Sequence, residues 1–241
     1  MNNLKIIILT LISGLSTSLG NIPLLINKKY KNQILTYSLS LSFTTIFLIS
    51  AIDLIPNAVL LKKEEPKILL FIVSLALIII GYTIVKIIDK LNKKENKLYE
   101  VGILSAISLI IHNIPEGVIC AITSIIDQKI GLKMIFLIML HNIPEGICIS
   151  LPIYYGSNNK IKAITYTTIS GLGEVIGAIL TITLLKQYIT NTLLYIILLI
   201  TSGIMIYLSY KIFKQTIKLS NNKLLLYLGI ISGVVVIILT I

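Results

Sequence analysis

The hexapeptide HNIPEG stands at 112–117 and again at 141–146, and the two copies hold the only histidines of this 241-residue chain. In each copy the histidine and the glutamate are four residues apart, His112 with Glu116 and His141 with Glu145. On a helix that spacing places both side chains on one face. Asn113 and Asn142, three residues before their glutamates, flank the same face. Each copy can therefore present an imidazole, an amide oxygen and a carboxylate to one point. Nitrogen and oxygen donors without paired thiolates suit a borderline divalent cation such as zinc, ferrous iron, manganese or cobalt.

The surroundings sharpen that chemistry. The chain is 56% hydrophobic and 13% charged, with a mean hydropathy of +0.95, which points to an all-α membrane protein rather than a soluble domain. Six of the ten acidic residues sit in or beside short polar breaks, but Asp53, Glu116, Glu145 and Glu174 lie inside apolar runs. An ionisable group at membrane depth costs several kcal/mol unless paired or hydrated, so each is a candidate functional residue. No intramembrane lysine is placed to neutralise Glu116, Glu145 or Glu174, which leaves a cation or protons. Asp53, followed by Pro56, either lines an ion path or caps a kink, and both readings stay open.

A spanning helix needs about 20 mostly apolar residues. Eight such runs lie at 4–26, 34–61, 67–88, 99–125, 132–155, 161–185, 191–213 and 223–241. The breaks NKKYKNQ, KKEEPK, DKLNKKENK, DQKIG, GSNNK, KQYITN and KLSNNK are too short for a soluble domain, so residues 1–241 form one transmembrane domain. The first run is too long for a signal-peptide core and is expected to stay as a mature helix. All 21 basic residues are lysines. If both termini lie outside, 14 of them fall on the inner side and seven on the outer, which agrees with the depletion of positive charge from translocated loops. The net charge of +11 thus reflects topology, with anionic lipid as a contact for the inner loops, and nucleic acid is excluded.

The fourth, fifth and sixth runs are centred near residues 112, 143 and 173, so both hexapeptides and Glu174 fall near the midplane. Successive spans run antiparallel, and two identical mid-depth motifs are then related by an approximate two-fold axis in the membrane plane, the arrangement of inverted-repeat transporters. Pro115 and Pro144 each free the carbonyl four residues earlier, while Gly117 and Gly146 allow close helix approach. His112, Asn113, Glu116, His141, Asn142, Glu145 and Glu174 exceed the four ligands of one tetrahedral zinc, which favours a two-metal or adaptable site. Cys120 and Cys148 are expected to be packing residues. An intramembrane metalloprotease is disfavoured because H-E-x-x-H is absent. ATP coupling is disfavoured because no phosphate-binding loop exists. A membrane protein that holds metal without moving it stays as the third reading.

The double HNIPEG, ISGLGEVIGA at 169–178, DLIPNA at 53–58, SGLSTSLG at 13–20 and SGIMIYLS at 202–209 together resemble the ZIP (Zrt/Irt-like) metal transporters, most closely the bacterial ZupT-like branch. The resemblance implies eight helices, both termini outside, and import of divalent metal across the cytoplasmic membrane by a secondary transporter that is not an enzyme. It implies that Glu116 and Glu145 bridge two neighbouring metal positions. His112 and His141 would serve the one preferred by zinc, and Asn113, Asn142 and Glu174 the one linked to iron. Zinc and ferrous iron, with manganese, cobalt and cadmium, would bind as transported substrates and not as cofactors. The expected partners are these ions and the bilayer, with a homodimer allowed. Two departures stand out: the break DKLNKKENK has no histidine, which argues against a metal-sensing loop, and Lys211 follows GIMIYLS where that branch usually carries an acidic pair.

Overall fold

A computed structural model describes residues 1–26, 28–185, 188 and 190–240. Asn27, Lys186, Gln187, Ile189 and Ile241 lie outside the described residues, and with them Lys186 of the lysine count and parts of the first and sixth breaks. Eight helices are long and apolar enough to cross a membrane: α1 Asn3–Leu25, α2 Lys31–Leu60, α3 Lys67–Leu91, α4 Lys97–Ile126, α5 Gln128–Ser157, α6 Lys160–Leu184, α7 Asn191–Leu219 and α8 Lys223–Thr240. No strand occurs among the described residues. The all-α, eight-span architecture expected from composition is the architecture found.

The breaks work as helix caps. Side-chain oxygens of Asn2, Asn96, Asp127, Asn159, Thr190 and Asn222 accept backbone N–H groups at the starts of α1, α4, α5, α6, α7 and α8. Each supplies a partner for otherwise orphaned donors of a first turn. Capping also corrects one boundary. The break DQKIG shrinks to Asp127 alone, whose Oδ1 accepts from Lys129 N at 2.7 Å and Ile130 N at 3.0 Å, so α5 starts at 128 and not 132. α7 likewise runs on to Leu219, six residues past the apolar run, with Thr216 buried in its last turns and donating to Ile212 O at 2.8 Å.

Two helices depart from α geometry. The second half of α1 tightens to a 3-10 stretch over Thr17–Leu25, and α2 widens to a π turn over Ile49–Leu54. Pro56 follows that turn, and the Ile55 N–H reaches back five residues to Ser50 O. Proline has no N–H and its ring crowds the carbonyl four residues earlier, a common cause of such widening. α4 and α5, by contrast, remain helical through Pro115 and Pro144.

Packing divides the bundle into two sets. α4 packs along α5 and α6, and α1 against α5 and α6; α2 packs against α7 and α8, and α3 against α7. Contacts of α2 with α5 and of α4 with α7 join the sets. Side-chain hydroxyls support the packing, as in Ser74 Oγ with Tyr195 Oη at 2.8 Å between α3 and α7, and Tyr37 Oη with Ser232 Oγ at 2.9 Å between α2 and α8. α3 is the most apolar span, with a mean hydropathy of 2.9, yet only 22% of that window is buried. A helix that apolar along its whole length is suited to a membrane span. The largest apolar cluster, including Leu104, Leu109, Ile149, Leu151, Ile153, Met205 and Leu208, fills the half of the bundle nearer the lysine-rich ends of α3, α4 and α7.

Candidate metal centre

All seven residues singled out from the sequence are buried, and α4, α5 and α6 bring them into one region. His112 Nε2 lies 3.1 Å from Glu116 Oε1 on its own helix and 3.3 Å from Glu145 Oε1 on α5. His141 Nε2 reaches back across the same interface and meets Glu116 Oε1 at 2.9 Å with hydrogen-bond geometry. The two His112 distances are ion-pair distances without hydrogen-bond alignment, so neither His112 nitrogen has a hydrogen-bond partner among the described residues. His112, Glu116 and Glu145 each offer one ligand atom within 4.8 Å of the others.

The asparagines anchor the neighbouring helices. Asn113 Nδ2 donates to Ser170 O on α6 at 2.9 Å, and Asn142 Nδ2 donates to Ser13 O on α1 at 3.1 Å. Asn142 Nδ2 also donates to Glu174 Oε1 at 2.5 Å, which ties Glu174 to the α5 motif. With their amide nitrogens so engaged, both asparagines turn their oxygens the other way. Asn113 Oδ1, Asn142 Oδ1, Glu116 Oε2, Glu174 Oε2 and both Glu145 carboxylate oxygens are buried without a hydrogen-bond partner among the described residues. Buried acceptors without donors are costly, and six of them on three adjoining helices call for a cation or protons.

These contacts carry a reciprocity that reading the chain did not reveal. His112 meets Glu145 while His141 meets Glu116, and Asn113 binds Ser170 O while Asn142 binds Ser13 O. α1 and α6 are thus equivalent about the α4–α5 axis, and the tripeptide Ser-Gly-Leu at 13–15 and 170–172 is the signal in the sequence that marks them. The equivalence breaks four residues on, where α6 has Glu174 and α1 has Thr17, whose hydroxyl is buried and without a partner among the described residues. Ser13 and Thr17 border the centre, although neither was singled out by charge or titratability.

Glycines permit the close approach. A Cβ on Gly117 would collide with the backbone carbonyl of Glu174, and one on Gly146 with the carbonyl of Thr17. Both motif glycines therefore set helix separation at the level of the ligands, α4 to α6 and α5 to α1.

Access comes from one end. A cavity of about 630 Å³ runs from Leu60, Ile130, Leu194 and Thr240, at the ends of α2, α5, α7 and α8, down to Glu116 and His141. Glu116 and His141 keep 4% and 8% exposure while the other five are at 0%, so these two are the centre's contact with the cavity. Asp53 and Asn57 also line it, and Asp53 Oδ1 accepts from Asn57 Nδ2 at 2.6 Å. The π turn over Ile49–Leu54 carries this carboxylate, a usual role for π bulges at functional positions. Asp53 thus sits at the proline distortion and lines the cavity, and its hydrogen bond goes to the Asn57 side chain and not to a backbone N–H. On the opposite side of the centre, Ser105, Ser108, Ile149 and Leu151 are fully buried, so side chains occlude the centre there. Cys120 and Cys148 are free thiols buried in apolar clusters.

Residues 92–240 match the family described as ZIP Zinc transporter. Curated relatives extend the match along the chain. The zinc transporter ZupT of Streptococcus mutans is 34% identical, covering 95% of this chain and 93% of that protein. Those of Clostridium perfringens and Chlorobium phaeovibrioides are each 30% identical, covering 98% and 100% of this chain and 95% and 98% of theirs.

Proposed function

The chain belongs to the ZIP family of zinc transporters, and from that membership we propose that the α4–α5–α6 centre is the place where its cargo binds in transit. The protein is a multi-pass membrane protein that transports divalent metal cations and is not an enzyme. The metal is substrate, held by His112, Asn113, Glu116, His141, Asn142, Glu145 and Glu174, with Glu116 and Glu145 shared between two neighbouring positions. The observation that carries this assignment is the buried cluster of His112, Glu116 and Glu145, whose ligand atoms lie within 4.8 Å of one another and whose Glu116 reaches the cavity. Storage without passage is a weaker reading, because the route is open on one side and closed by side chains, without covalent obstruction, on the other.

Direction follows from the lysines. If the lysine-rich ends face the cytosol, the cavity opens outward and this conformer accepts metal from outside for import across the cytoplasmic membrane, with both termini outside. Zinc, ferrous iron, manganese and cadmium uptake into reconstituted vesicles at two pH values tests the assignment. His112→Ala with His141→Ala is expected to depress zinc uptake about tenfold more than iron uptake, and Glu174→Gln to show the reverse preference. Equal losses for all metals in both variants would sink the division into two positions.

Asp53 concentrates cations in the cavity. Its walls are largely apolar, and the Asp53 carboxylate in such a cleft offsets the ammonium of Lys133, which also lines it. Asp53→Asn is expected to raise KM for zinc by about three- to tenfold and to leave kcat nearly unchanged, with the difference shrinking in high salt. A fall in kcat at constant KM would place Asp53 in the translocation step instead.

A further inference from the structure

The lysine-rich end of the bundle holds a second cluster of charges, remote from the cavity. Lys211 Nζ on α7 donates to Asp89 Oδ1 and Oδ2 on α3 at 2.7 and 2.6 Å, and to Glu100 Oε1 on α4 at 3.2 Å. Tyr207, one turn earlier on α7, donates to Asp89 Oδ2 at 2.7 Å. Glu100 also accepts from Lys97 Nζ at 2.9 Å and from the Lys94 backbone N–H at 3.2 Å. Glu100 is 4% exposed, and the side chains of Asp89 and Lys211 are 10% and 22% exposed. The buried part, Lys211 with two carboxylates, carries one net negative charge, and the Lys97 ammonium, on a side chain 67% exposed, balances it from the rim.

Its position in the packing matters more than its charge count. α3 and α7 belong to one helix set and α4, which carries half of the metal centre, to the other. Lys211 therefore joins the sets at the end away from the cavity, where side chains occlude the centre. Any parting of α4 from α7 at this end would break the Lys211–Glu100 contact. A Glu or Asp at 211 would instead repel Asp89 and Glu100.

We propose that Lys211 is a positioning residue of the transport cycle: by bridging Asp89 and Glu100 across the seam between the two helix sets, it holds the route on the lysine-rich side closed while the cavity is open. The proposal rests on the transport reading above. It makes the parting of Lys211 from Glu100 a required step of metal release, and the clamp biases the population toward the cavity-open arrangement.

The test measures access to the closed side. Ser108 is fully buried and sits one turn from His112 on the same face of α4, toward Lys211. In full-length protein carrying Ser108→Cys, with Cys120→Ser and Cys148→Ser, reconstituted in vesicles, a charged maleimide supplied to the lysine-rich side reports opening as a labelling rate. Lys211→Met is expected to raise that rate about tenfold, and Lys211→Arg to leave it near that of the protein with Lys211 intact. A triple change, Asp89→Asn with Glu100→Gln and Lys211→Met, leaves no buried charge unpaired and is expected to label as fast as Lys211→Met. Unchanged labelling in Lys211→Met overturns the proposal. So does a triple variant that returns to the slow rate, since the acceleration would then be carboxylate repulsion and not loss of a clamp. Zinc uptake by the unsubstituted protein in the same vesicles is measured alongside; its absence would count against the transport reading, whatever the labelling shows.

Discussion

Glu116→Ala is expected to reduce divalent metal uptake to background, a loss of more than about 100-fold, with membrane insertion and helix content unchanged. Glu116 is the node of the centre. Its Oε1 lies 3.1 Å from His112 Nε2 and 2.9 Å from His141 Nε2, and its Oε2 is buried without a partner among the described residues. It is also the carboxylate of the centre that lines the cavity. Its removal takes away a ligand common to both histidines and the first negative charge of the centre that an incoming cation meets. Glu116→Gln keeps the volume and separates charge from shape; uptake should still fail, since an amide offers one acceptor where the carboxylate offers two. Zinc flux and zinc binding in reconstituted protein, compared with elution as a monodisperse species, decide the matter. Normal flux by either variant would remove Glu116 from the centre.

The second large effect concerns a residue without a side chain. Gly117→Val is expected to destabilise the protein by about 3 kcal/mol or more and to lower uptake beyond the fraction unfolded. A Cβ at 117 collides with the Glu174 carbonyl, so α4 and α6 must separate and the α6 carboxylate must leave its place beside Asn142. The colliding atom belongs to helix backbone, which cannot rotate aside as a flexible side chain would. Gly117→Ala should show the same defect in milder form. Thermal denaturation in detergent, with zinc uptake per folded protein, measures both parts; a valine variant with native stability and flux would disprove the close α4–α6 contact.

Much of the fold is legible along the chain because membrane insertion is judged locally. A run of about 20 apolar residues is a helix whatever its neighbours do, since lipid offers its backbone no other hydrogen-bond partner. Boundaries were legible to within six residues, and the misses are instructive. The break DQKIG looked like a loop, yet one capping aspartate turns the chain from α4 into α5. The 3-10 half of α1 and the π turn of α2 were not visible as such, although Pro23 and Pro56 mark both. Both are responses to packing and to missing donors that hydropathy does not register.

The candidate centre was legible to a similar depth. The i, i+4 spacing put His112 beside Glu116 at 3.1 Å, but the same spacing in the second copy gives no His141–Glu145 ion pair or hydrogen bond among the described residues, so a shared helix face allows the contact and packing decides it. Reciprocal pairing across α4 and α5 was consistent with two copies of one motif, but which oxygen each imidazole meets was not readable. The roles of Ser13 and Thr17 escaped notice because hydroxyls and carbonyls carry no charge that looks misplaced in an apolar run. Lys211 was conspicuous as an oddity of sequence, and its meaning depended on Asp89 and Glu100, which lie 122 and 111 residues away.

By itself, then, the sequence determined that eight helices span a membrane, that four carboxyl groups lie well inside the apolar runs, away from the polar breaks, and that imidazole, amide and carboxylate share a helix face at mid-depth. Those properties follow from transfer free energies and helix pitch, which act over one to five turns. Only the tertiary structure decided that the motif glycines meet the backbones of α6 and α1, that the cavity reaches Glu116 and His141 from one end, and that Lys211 closes the seam at the other. Such contacts depend on the relative rotation and height of helices distant in the chain, and the packing of all eight together sets those few ångströms.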